Sequence, residues 1–103
     1  MNSYNKPNAA PAAVTVNTSS TAAKAIATPL AIRVGYRLTN TGSNTIYIYE
    51  VPVGTSAPTV ATVIASPSFV LAAGQYIEVG ARDSTDIYTG AAATATATIQ
   101  ELV

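Results

Sequence analysis

The sequence has no cysteine, no histidine and no tryptophan. Without cysteine there is no disulfide framework and no sign of a redox compartment. Without histidine it lacks the usual general base near neutral pH and the commonest metal ligand, and the missing cysteines remove thiol nucleophiles. Charge is scarce as well: 10% of residues are charged, five basic and five acidic, for a formal net charge of zero. Lys6, Lys24, Arg33, Arg37 and Arg82 are too few and too dispersed to form the basic stripe that displaces counterions from nucleic acid. No apolar run approaches the ~20 residues of a membrane helix. The first stretch, MNSYNKPNAAPAAVTV, lacks the continuous apolar core of a secretory signal. The expectation is a protein made in the cytoplasm that contacts neither nucleic acid nor membrane.

What is present is alanine, threonine and valine in quantity, within a chain that is 49% hydrophobic. Its 103 residues suit one domain with one modest core. This mixture is neither a charged disordered tail nor a Leu/Glu/Lys-rich bundle. A net charge of zero weakens colloidal repulsion, a liability for a free monomer but less so for a subunit packed against partners.

Residues 1–12, MNSYNKPNAAPA, hold Pro7 and Pro11 among Asn, Ser and Ala and read as an extended arm that orders only against something else. The arm is expected to extend to residue 20, with a β domain over 21–103. AVTVNTS alternates, Val14 and Val16 on one face and Thr15 and Asn17 on the other. AAKAIA, residues 22–27, leans to strand. Ala31–Asn40 is the clearest strand, with Val34, Tyr36 and Leu38 on one face and Arg33, Gly35, Arg37 and Thr39 on the other. A polar turn, TNTGSN, follows, in which Gly42 is free to take positive φ. Thr45–Val51 returns as the partner strand, Ile46 and Ile48 to the core, Tyr47 and Tyr49 away from it. Thr59–Ala65 is either a short strand or a helical turn. Phe69 and Leu71 stand together, Ile77 and Val79 point inward from Gln75–Val79, and a short strand begins at Ile87. AAATATATIQELV alternates Ala95, Ala97 and Ile99 against Thr94, Thr96 and Thr98, small enough on both faces for another strand or chain to approach closely. Seven or eight short strands with turn signals about every 8–12 residues predict an all-β protein, a small antiparallel β-sandwich or jelly roll.

The search for chemistry finds little. Each glycine after Gly35 is isolated between strands, so there is no phosphate-cradling loop. Serines and Lys24 leave a Ser–Lys pair conceivable, without a local signature. Asp83 and Asp86 in RDSTD, with Glu78 before them, are the only carboxylate cluster. It lacks the spacing and closing glutamate of a calcium loop, and short-loop aspartates ordinarily make turn hydrogen bonds. Asn17-Thr18-Ser19 is a glycosylation sequon in a chain with no other secretory feature. Hence no enzyme, no cofactor and no metal are expected. Surface remains: Tyr47, Tyr49, Arg33 and Arg37 are of the types enriched where protein surfaces meet. Tyr–Arg stacking within one sheet, or a second sheet covering the tyrosines, would account for them equally well.

The order LTNTGSNTIYIYE, FVLAAGQYIEVG, DIYTGAAATATATIQELV, over Ile32–Val103, resembles small structural proteins of tailed-bacteriophage virions. The resemblance is greatest to capsid decoration, or cement, proteins. It implies a non-enzymatic virion protein on the capsid surface, made in the host cytoplasm, with the major capsid protein and its own copies, as a homotrimer, for partners. In that reading Tyr4, Pro7, Pro11, Val14 and Val16 of the arm reach a neighbour, and Arg33, Arg37, Tyr47 and Tyr49 form a subunit contact. Alternatives are a tail, neck or fibre component, or a carbohydrate-binding sandwich that uses Tyr47, Tyr49, Tyr76 and Tyr88 as platforms.

Overall fold

A computed structural model describes residues 11–30 and 33–103. Eight strands and one short helix follow in the order β1 (Ala12–Thr15), β2 (Ala23–Lys24), β3 (Gly35–Asn40), β4 (Ile46–Pro52), α1 (Val60–Ala65), β5 (Phe69–Leu71), β6 (Tyr76–Gly80), β7 (Thr85–Gly90) and β8 (Thr96–Leu102). They form two antiparallel four-stranded sheets, β1-β8-β3-β6 and β2-β7-β4-β5. The chain changes sheet at almost every connection, and its first and last strands lie side by side. This is the strand order of an eight-stranded jelly roll, so the expected fold class holds.

Period-two alternation builds the core. Tyr36 and Leu38 of β3, Ile46 and Ile48 of β4, Ile87 of β7 and Ala97 and Ile99 of β8 face one another between the sheets, none more than 4% exposed. Burying aliphatic side chains of this size stabilises by about 1.5–3 kcal/mol each.

Two expectations need correction here. LTNTGSNTIYIYE is not a hairpin, because β3 and β4 belong to opposite sheets and the turn is a corner between them. Asn40 makes that corner. Fully buried, it donates from Nδ2 to the carbonyls of Asn44 (2.8 Å) and Leu71 (3.0 Å) and accepts from Gly42 N–H at 3.1 Å. Gly42 is required for space rather than for positive φ: a Cβ there would lie 2.7 Å from Thr96 Oγ1. The second correction concerns the Ala/Thr strand. β8 offers no free edge to a partner chain, since β1 and β3 of the same chain are the strands that flank it on both sides.

Tyr4 and Pro7, the outer part of the expected arm, lie outside the described residues. From Ala12 the chain is part of the sandwich: β1 is an edge strand with Val14 buried opposite Ala97. Beyond it, Asn17 bridges to Gly90 and Thr21 to Thr59.

Candidate functional site

Three groupings bring the singled-out residues together. The first is the tyrosine face of β4. Tyr47, Tyr49 and Val51 point away from the inter-sheet core, and Tyr49 stands opposite Tyr88 of β7. No second sheet covers them, and Tyr47 and Tyr49 stay half-buried. Helix α1 lies on them, and Val60, Val63 and Ile64 pack with Ala22, Tyr88 and the two tyrosines into a second, smaller core. The helix forms because Thr59 caps it, Oγ1 accepting from Thr62 N–H at 3.2 Å, and because three valine or isoleucine side chains share one face. Gly90 sets the approach, since a Cβ there would stand 3.2 Å from Val60 Cγ1.

The second grouping is a charged cluster between the sheets, at the end where β3 begins and β8 finishes. Arg33, expected on an outer face, is 1% exposed. Its Nη2 donates to the Thr85 carbonyl and its Nε lies 3.8 Å from Glu101 Oε2. Nε and Nη1 have no hydrogen-bond partner among the described residues. Glu101 also accepts from Leu30 N–H at 2.9 Å. Beside them Glu50 Oε2 accepts from the Tyr36 hydroxyl at 2.7 Å and from Arg82 Nε at 2.9 Å. Burial first, then the hydrogen bond to Glu50, pushes the Tyr36 phenol far above its usual range. Sequence reasoning missed this cluster, although a signal was there. Glu50 is in phase with Ile46 and Ile48, and Glu101 with Ala97 and Ile99, so both carboxylates sit on inward-facing positions.

The third grouping lies on the outer face of the β1-β8-β3-β6 sheet. Arg37 and Glu78 pair across strands, with Nη2 2.5 Å and Nε 2.7 Å from Glu78 Oε2. The guanidinium lies 5.9 Å from the ring centre of Tyr76, which at 63% is the most exposed large hydrophobic among the described residues. Thr39, opposite Tyr76, completes a shallow cleft.

Several of the remaining candidates are in structural use. Asp86 is buried, accepts from Gly54 N–H at 3.2 Å and lies 3.6 Å from Lys24 Nζ. Asp83 is exposed in the loop before β7. Asn17 Nδ2 donates to the Thr21 carbonyl at 2.7 Å. Of the expected contact residues, Val14 is core, Val16 half-buried against it, and Pro11 exposed. Among the described residues no three carboxylates gather as a metal site.

Comparisons with family models, with curated proteins and with solved structures return no match to this chain.

Proposed function

We propose that this chain is a non-enzymatic structural subunit of a tailed-phage virion, one that binds the outside of the capsid shell and stabilises it as a homotrimeric decoration protein. The observation that carries this reading is the strand order. The eight-stranded jelly roll recurs in viral capsid domains, although lectins and cupins also use it. Fold does not determine function, so the motif order over Ile32–Val103 adds the second support. The carbohydrate alternative loses ground because Tyr88 is buried and Tyr47 and Tyr49 are half-covered where α1 packs, leaving Tyr76 the one exposed tyrosine among the described residues.

In this reading the tyrosines build the subunit and its contacts lie elsewhere, with Arg37 and Tyr76 on the open sheet face. Individually weak contacts gain strength when several copies dock together. The test is to purify particles from the host of origin, separate shells from tails, and identify this chain by mass spectrometry. The expected result is recovery with shells, and a trimer by light scattering of the isolated protein. Recovery with tails alone, or absence from particles, overturns the reading.

A further inference from the structure

Strand β6 is the longest of the sheet-edge strands and the least protected. Its partner on one side is β3, and no strand of the described chain lies on the other. The other edges are shorter: four residues in β1, which starts directly after Pro11, two in β2 and three in β5. Natural sheets blunt such edges with proline, lysine, bulges or brevity. The segment YIEVG has neither proline nor lysine and runs five residues in unbroken register with β3.

The core is also incomplete beside this edge. Leu38 and Ile99 on the neighbouring strands are at most 2% exposed, whereas Ile77 and Val79, in the same layer, are only half-buried. Phe69, from the facing edge strand β5, is half-buried as well. One more strand beside β6 would bring Ile77 and Val79 to the burial of their neighbours.

Charge decides which strand that is. A second copy of β6, pairing antiparallel over all five residues, must centre on Glu78 and set it against the same glutamate, which is unfavourable. Moving the centre to Ile77 or Val79 keeps every side chain on its proper face but leaves three residues of each strand paired. Glu78 therefore works against self-pairing. The same carboxylate suits a foreign strand with a cation opposite it. Both Arg37 nitrogens converge on Oε2, and among the described residues no hydrogen bond is made to Oε1.

We propose that the free edge of β6 receives an extended segment of a different polypeptide, carrying a lysine or arginine opposite Glu78 and apolar residues opposite Ile77 and Val79. Main-chain hydrogen bonds supply the attachment, and the alternating side chains select register and partner. The proposal goes beyond the virion reading and does not depend on it.

The test is an NMR titration of the full chain with the peptide Ser-Thr-Val-Lys-Val-Thr-Ser and with its counterpart carrying glutamate in place of lysine. The expected result is saturable amide shifts confined to residues 69–71 and 75–81. The glutamate peptide should bind at least about tenfold more weakly, and Glu78→Lys should invert that preference. Four results overturn the proposal: no shift at millimolar lysine peptide, shifts centred elsewhere, equal binding of both peptides, or β6 shifts that follow protein concentration alone. All four are read on the wild-type chain, so a variant that failed to fold would not shield the idea.

Discussion

Tyr36 shows what one buried hydroxyl contributes. Its ring is fully buried and its hydroxyl bonds Glu50, so Tyr36→Phe removes a hydrogen bond without changing the packing. The cost at neutral pH is about 1.5–3 kcal/mol, the range for a hydrogen bond to a charged partner. The alkaline effect follows from the raised phenol pKa: the folded state holds its proton where the unfolded chain, at about pH 10, begins to release it. This contribution is whole below about pH 10 and is lost as pH climbs beyond it. Urea unfolding of wild type and Tyr36→Phe at neutral and alkaline pH checks this, because the wild type should lose stability more steeply above that pH. Arg33 and Glu101 make a sharper case. Glu101→Ala strands a buried guanidinium and should cost about 3–5 kcal/mol. The double change Arg33→Met, Glu101→Leu should cost far less than the two single changes combined. A double-mutant cycle by denaturant unfolding measures the difference, and additive single effects would mean that the pair is not coupled.

Helix α1 decides the fate of the tyrosines, and Gly90 decides whether the helix fits. Gly90→Val drives two methyl groups towards Val60 and Val63 and should destabilise by about 1–3 kcal/mol. Hydrogen exchange locates the effect: protection should fall first in residues 60–65 and remain in β3 and β8. How much of this the sequence disclosed depends on the element. β3, β4, β6 and β8 were legible because each alternates apolar and polar residues over several positions. α1 was ambiguous because six residues rich in valine satisfy both a strand and a helical turn. The corner at 41–45 passed for a hairpin because Asn, Thr, Ser and Gly suit both, and the choice rests on Asn40 reaching the distant Leu71 carbonyl. Arg33 was misplaced for a like reason. Alternation along the strand put it outside, whereas its partners Thr85 and Glu101 come from strands far along the chain.

At the scale of the molecule the two sheets are woven rather than stacked. Only β4 and β5 are neighbours both in strand order and within a sheet, and α1 lies between them in the chain. Assembly therefore rests on contacts between distant segments, the circumstance in which domains of this size fold slowly. Removing residues 96–103 should abolish the cooperative unfolding transition altogether, as monitored by circular dichroism. A residual transition would show that the β2-β7-β4-β5 sheet stands alone. The position of β8 between β1 and β3 also bears on biosynthesis. On the ribosome, β1 and β3 emerge long before the strand that joins them, so β1 waits with no sheet partner and β3 with one flank unpaired. The chain's exposure to misassembly is thus greatest during translation, and a codon or chaperone effect on yield should act through residues 96–102 more than through any segment before them.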